Sequence, residues 1–276
     1  MLDVVVMCCY ARSGGTLLNR ILGVLPNTIV ISEVNPLGGG YGKEREASLD
    51  SIPAQAKGWY DYTVTSQTYG EQAAELASLV DGDGKVLVIR DWPYVNFHPH
   101  PYNGNLPPQR LLIFDEISRY LIPRPFALVR DAVDVWASCG KQHNFFSYYL
   151  KYIEAIVDYN MPIVKYEDLC ANPEAIVRRL CASTGLVFSN FANFYQFSRV
   201  NGDTQLAESV RKKRGNPTSI ELRPRREITS EDVFFLDNCK DFQVCQSLLG
   251  YSAKVTPVKI RKPLIQVIQQ VMNEAW

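Results

Sequence analysis

The chain has 276 residues, of which 46% are hydrophobic and 21% charged, and 29 Lys+Arg balance 29 Asp+Glu to a formal net charge of zero. That length suits one large domain with a sizeable core, and the lack of a basic excess argues against a general nucleic-acid binder. Seven cysteines without a CxxC pair suggest neither a disulfide framework nor a zinc site, no apolar run reaches the length of a membrane span, and a core strand close to residue 1 leaves cytoplasmic residence as the expected location.

The first predicted element is an apolar strand over Asp3–Cys9. It breaks at Tyr10-Ala11-Arg12-Ser13-Gly14-Gly15 and passes into a helical pattern over Thr16–Leu25. A second strand is expected over Thr28–Ser32, lying beside the first loop in a parallel sheet and ending at Glu33. Val34–Gly42, with its Gly38-Gly39-Gly40 run, reads as a lid, and Trp59, Tyr60 and Tyr62 as aromatic surface near the sheet edge. Glu71–Val80 is a helix with a glycine stop at Gly82 or Gly84. A third strand, Lys85–Asp91, ends in Arg90 and Asp91, and the aromatic stretch Trp92–Tyr102 carries His98 and His100. There follow a helix over Leu111–Leu121, a strand over Pro125–Arg130, and helices over Ala132–Cys139 and Asn144–Asp158. A strand over Pro162–Lys165 comes next, then a helix over Pro173–Thr184, N-capped by Asn172 with proline at its first position. Helical patterns at Thr229–Leu249 and Pro263–Ala275 finish the chain; the latter is amphipathic through Leu264, Val267, Ile268 and Val271, a packing face or a homodimer contact.

Nearly all-apolar strands alternating with helices predict the fold class: α/β, a single domain over residues 1–276 with a central five-stranded parallel sheet covered on both faces and a nucleotide-binding topology. In such sheets ligands bind beyond the carboxyl ends of the strands. The segment Arg12-Ser13-Gly14-Gly15-Thr16-Leu17 sits at such an end. A glycine turn opening a helix gathers backbone N–H groups and the positive end of the helix dipole, a site for phosphate or sulfate. Arg12 adds a fixed charge, Ser13 and Thr16 add hydroxyls, and the glycines permit close approach. This is not the ATPase loop, because the GxxxxGK spacing is absent. Arg130 closes the fourth strand, and Ser138, eight positions on, turns back toward the same edge, so the two can grip a second anion.

With these two motifs in order, the chain resembles the sulfotransferases that use 3′-phosphoadenosine 5′-phosphosulfate (PAPS) as donor and release 3′-phosphoadenosine 5′-phosphate (PAP). That family carries an Arg/Lys-Ser-Gly-Thr-Thr-like loop for the 5′-phosphosulfate, and an arginine and a serine eight residues later for the 3′-phosphate. Ile163-Val164-Lys165-Tyr166-Glu167-Asp168-Leu169, followed by Asn172-Pro173-Glu174, is similar to the family's strand ending in Tyr-Glu-Asp-Leu and the helix after it. The resemblance covers roughly residues 3–226, divides the chain into a core of 3–186, a donor-closing basic loop at about 199–226 and C-terminal helices at about 229–276, and places Tyr166 against the adenine. Arg211 and Arg214 in that loop would close over the 3′-phosphate. Gly15 stands where the family has a threonine, and Trp92 is inserted before Pro93 in a motif that elsewhere carries a basic residue corresponding to Arg90.

Sulfonate transfer requires a base for the acceptor proton, positive charge at the transferring group and stabilisation of the leaving phosphate. The expected catalytic residues are Glu33 as general base, Arg90 at the sulfonate oxygens and Arg12 at the bridging and 5′-phosphate oxygens, with His98, His100 and His143 as alternative bases. No metal is required. The acceptor is a small molecule or carbohydrate bearing a hydroxyl or an amine; the chain does not separate sugar, lipid, phenol or peptide tyrosine. Two other readings stay open: a small-molecule kinase, which would demand Mg²⁺ and ATP, and a nucleotide-binding regulatory protein that keeps the donor site without catalysis.

Overall fold

The computed structural model describes residues 1–38, 51–99, 106–200 and 218–258. Arg211, Arg214, His100 and the helix expected over Pro263–Ala275 lie outside the described residues, as do residues 39–42 of the expected lid. Five strands, β1 (Asp3–Cys9), β2 (Thr28–Val34), β3 (Val86–Asp91), β4 (Ile122–Val129) and β5 (Ile163–Lys165), form one sheet in the order β2-β3-β1-β4-β5. Every pairing in it is parallel. The helices are α1 (Gly15–Gly23), α2 (Ile52–Tyr60), α3 (Tyr69–Gly82), α4 (Tyr94–Phe97), α5 (Leu112–Ile117), α6 (Ala132–Ser138), α7 (Phe145–Asp158), α8 (Tyr166–Ala171), α9 (Pro173–Thr184), α10 (Ser230–Asp237) and α11 (Lys240–Leu249).

Alternation along the strands builds two cores. Val4, Val6 and Cys8 of β1, with Ile31 and Ile89, pack beneath α3, α5, α7 and α11. Val5, Met7 and Cys9, with Val30, Val88 and Phe126, pack beneath α1 and α9. A sheet buried on both faces needs apolar residues at every position, which is why these strands lack polar alternation.

The lateral order corrects one expectation. β2 does not lie beside the first loop, because β3 stands between it and β1. β2 and β3 are equally apolar, so composition cannot rank them; the crossover helices decide. Tyr166 opens α8 instead of prolonging β5. The pattern over Thr229–Leu249 divides into α10 and α11, and α2, capped by the Ser51 side chain with Pro53 in its first turn, had no expected counterpart. β4 starts at Ile122, earlier than expected, despite Pro123 and Pro125. Ile122 donates its N–H to Leu2 at 2.9 Å on the β1 side, and β5 pairs only with Ala127–Val129. The two prolines therefore turn their missing N–H groups to a stretch of edge that β5 does not reach.

Candidate active site

The turn from β1 into α1 is built on unusual backbone. Arg12 has φ 72° and Gly14, the N-cap of α1, has φ 94°. The Gly14 carbonyl accepts from the N–H groups of Leu17 (3.0 Å) and Leu18 (3.4 Å), closing the first turn, and the Ser13 N–H donates to the Tyr10 carbonyl at 3.2 Å. Gly14 also serves close packing: a Cβ there would lie 2.3 Å from Cδ2 of Tyr166. Tyr166 in turn carries the Arg130 guanidinium 4.8 Å from its ring centroid. Gly14, Tyr166 and Arg130 thus form one stack, and three segments far apart in sequence meet at the carboxyl ends of β1, β4 and β5. Burial pushes the Tyr166 phenol up to about 12. Among the described residues, the buried Ser13 hydroxyl and Arg130 Nε have no hydrogen-bond partner. Thr16 and Leu17, half-buried, are the second and third residues of α1.

Arg130 is positioned by acids that sequence reasoning did not assign. Its Nη2 lies 3.7 Å from Asp134 Oδ2. Arg225 donates from Nε to Asp134 Oδ1 at 3.1 Å and from Nη2 to Asp131. Asp131 caps α6 by accepting from the Val133 N–H at 3.0 Å and accepts from Gln246 Nε2 at 3.2 Å, while its own N–H donates to Glu167. Burial raises the Asp134 carboxyl above its ordinary value, against the opposing pull of Arg225 and Arg130. The sequence signal was present: two acids three residues apart directly after Arg130, and an Arg225-Arg226 pair in the basic segment. Arg226 donates to the Ala137 carbonyl at 3.4 Å, beside Ser138, which ends α6 half-buried. Arg12 and Arg226 both bear on Cys139, whose thiol burial nonetheless pushes up to about 11. Arg12, Ser138 and Arg226 accordingly share one neighbourhood.

Glu33 and Arg90 meet directly. Arg90 Nη2 lies 2.7 Å from Glu33 Oε1, with the two side chains 7% and 20% exposed. Arg90 shares the α1 side of the sheet with Cys9. A Cβ on Gly15 would stand 2.5 Å from Arg90 Nη2 and 2.7 Å from Cys9 Sγ. Gly15 is therefore a steric requirement: the guanidinium occupies the space that a side chain at position 15 would fill. Among the described residues, the buried Arg90 Nε and Nη1 have no hydrogen-bond partner. On the opposite side of β3, buried Asp91 accepts from Asn35 Nδ2 at 2.7 Å, and the same Nδ2 lies 2.7 Å from Asn96 Oδ1. Burial pushes the Asp91 carboxyl up to about 7. This network fastens the turn that follows Glu33 to the end of β3.

Among solved structures, the chain is similar to the sulfotransferase domain from the curacin biosynthetic pathway, at 15% identity and TM-score 0.54, with 91% of this chain and 99% of that chain covered. The chain has the sulfotransferase fold. A mouse sulfotransferase, SULT7A1, complexed with PAP, matches at 12% identity and TM-score 0.37 over 75% of this chain and 69% of that one. No protein-family model matches the chain, and no curated protein does.

Within this sulfotransferase fold the remaining expected residues fall in different places. His98 is buried, not on the surface: its ring stacks 4.6 Å from Tyr94, and Nε2 lies 3.1 Å from Gln142 Oε1. His143 is exposed and meets Phe235 edge-on at 5.1 Å. Trp92 stacks on Tyr94 at 6.0 Å, so the inserted tryptophan continues an aromatic ladder at the end of β3. Tyr10 packs against Tyr94, Phe145, Tyr149 and Tyr152, so the aromatic residues of α7 are buried in the core instead of forming aromatic surface. Trp59, Tyr60 and Tyr62 do not reach the carboxyl edge. The Tyr60 hydroxyl donates to the Val30 carbonyl at 3.0 Å and lines a cavity with Thr28 and Lys85, at the amino ends of β2 and β3. The missed helix α2 carries them there. No helix among the described residues is long and apolar enough to cross a membrane.

Proposed function

We propose that the protein transfers a sulfonate group from PAPS to a hydroxyl or amine of a small-molecule or carbohydrate acceptor, with Glu33 as general base. The observation that carries the reading is the convergence, at one sheet edge, of the α1 turn, the Tyr166–Arg130 stack and the Glu33–Arg90 pair, with buried donors left without partners on Ser13, Arg90 and Arg130. A buried donor without a partner costs about 1–3 kcal/mol, so such a concentration of them suits an anionic ligand with several oxygens. PAPS fits this donor set: it supplies an activated sulfonate, and PAP is what remains after transfer.

The chain's own residues divide the work by position. The N-terminus of α1, Arg12, Ser13, Gly14, Gly15, Thr16 and Leu17 hold the 5′-phosphosulfate end, and negative charge that grows on the leaving phosphate is met by fixed N–H dipoles and the Arg12 charge. Arg130 and Ser138 hold the 3′-phosphate. Tyr166, already packed on Gly14, offers the adenine an edge. Arg90 meets the sulfonate oxygens. Glu33 takes the proton from the acceptor as its oxygen bonds to sulfur, and the bond from sulfur to the bridging oxygen breaks with its electron pair passing to the phosphate.

Incubation with PAPS and a panel of phenols, sugars, alcohols and amines, with PAP release followed chromatographically, tests the proposal. The expected result is acceptor-dependent PAP release that falls about 10²–10⁴-fold in Glu33→Gln. Release that ignores the acceptor, or survives Glu33→Gln unchanged, refutes the assignment of the base.

A further inference from the structure

Glu33 reaches Arg90 only because β2 departs from its own alternation. Ile29 and Ile31 belong to the core beneath α3 and α7, whereas Val30 faces the α1 side. Strict alternation would send residue 33 after Ile31, away from the side on which Arg90 meets Gly15 and Cys9. The pairing of β2 with β3 instead shifts register between Ser32 and Val34, and Val34 takes the place opposite Asp91. Glu33 is the residue passed over, with φ 55°. A left-handed conformation at a non-glycine residue costs about 1–2 kcal/mol, and a bulge is a standard means of re-aiming a side chain. Here the strained backbone delivers the carboxylate to Arg90 at 2.7 Å.

Arg90 is held at the same time by the space that Gly15 leaves open, against the first turn of α1. Nη2 is engaged by Glu33, and among the described residues the buried Nε and Nη1 have no hydrogen-bond partner. The guanidinium therefore touches the base on one side and the anion site on the other, with donors to spare.

Building on the sulfotransferase reading above, we propose that Arg90 is a partner-exchanging latch that holds Glu33 as a paired carboxylate in the empty protein and releases it when a sulfonate is bound at the α1 turn. Arg90 then carries the sulfonate's negative charge, and Glu33 becomes free to accept the acceptor's proton only when there is a group to transfer. The ion pair thus makes the base conditional on the donor. Gly15 is a positioning residue in this scheme, because any side chain there displaces the guanidinium from the turn.

The test is calorimetric titration with PAPS and with PAP, which lacks the sulfonate, on wild type, Glu33→Gln and the double variant Glu33→Gln/Arg90→Met, with melting curves confirming that each is folded. The latch predicts that PAP binds wild type and Glu33→Gln alike. PAPS binds Glu33→Gln about tenfold more tightly than wild type, because Arg90 no longer has to leave a charged partner. That gain disappears in the double variant. Equal or weaker PAPS binding in Glu33→Gln, with PAP still bound by wild type, overturns the latch and leaves the sulfotransferase reading standing. Failure of wild type to bind either nucleotide overturns both.

Discussion

Gly14→Ala tests the stack that joins the α1 turn to Arg130. The substitution imposes two separable penalties. An alanine at φ 94° is strained by about 1–2 kcal/mol. Its Cβ would also lie 2.3 Å from Tyr166 Cδ2, and overpacking of this kind costs about 1–3 kcal/mol. The total is about 3 kcal/mol. Tyr166→Ala alone removes a ring that is 5% exposed and destabilises by about 3–5 kcal/mol. In the double variant the clash has no second partner, so only the backbone strain remains beside the cavity, and the two effects fall short of additivity by about 1–3 kcal/mol. Urea unfolding of the four proteins measures this directly from the midpoints at constant slope. Additivity within about 0.5 kcal/mol, or a neutral Gly14→Ala, would refute the argument that Gly14 is glycine to admit Tyr166.

Asp91→Asn changes how stability depends on pH. The folded carboxyl sits at about 7, above its ordinary value of 3.8, so the native state binds the extra proton and wild-type stability falls as pH rises through that window. The variant loses that slope and gains on wild type by about 2–3 kcal/mol between pH 5 and pH 8, checked by urea midpoints at the two pH values; parallel pH profiles would contradict it. Arg225→Ala strips the cation from Asp131 and Asp134 and destabilises by about 1–3 kcal/mol at pH 8, and the loss shrinks as pH falls, because burial already raises the Asp134 carboxyl and the variant removes the cation that opposes this. The same measurement decides this, since an equal loss at both pH values would mean that Arg225 acts through packing alone. Gly15→Ala displaces the Arg90 guanidinium and lowers acceptor-dependent turnover about 10²-fold, while Gly82→Ala, at an exposed glycine ending α3 with no described neighbour within 4 Å, leaves turnover within about twofold. Comparable losses in the two variants would remove the steric case for Gly15.

The strands, the turn before α1 and the place of Arg130 at the end of β4 were legible because each rests on local chemistry: apolar runs broken by charge, glycines before a helix, an arginine at a strand end. Asn172 and Pro173 opened α9 as the sequence indicated, and the Asn172 side chain accepts from the Ala175 N–H at 3.3 Å. What depended on lateral order was not legible. Nothing in β2 or β3 announces which one borders β1, so the placement of Glu33 beside the first loop missed that Arg90 comes between them. The bulge at Glu33 was equally hidden, since a register shift belongs to a pair of strands and leaves no composition signal in either. The Asp131–Asp134–Arg225 cluster joins residues about ninety positions apart and was visible only as unassigned charge. Trp59 and Tyr60 were misplaced because α2 is short and its pattern weak, so its direction across the sheet could not be inferred.

The most direct test of the central claim is titration with PAP beside 5′-AMP, ADP and ATP·Mg²⁺, on wild type and Arg130→Ala. The account predicts that PAP binds most tightly and that Arg130→Ala removes its advantage over 5′-AMP while leaving 5′-AMP binding unchanged. Preference for ATP·Mg²⁺, or PAP binding indifferent to Arg130, would contradict it.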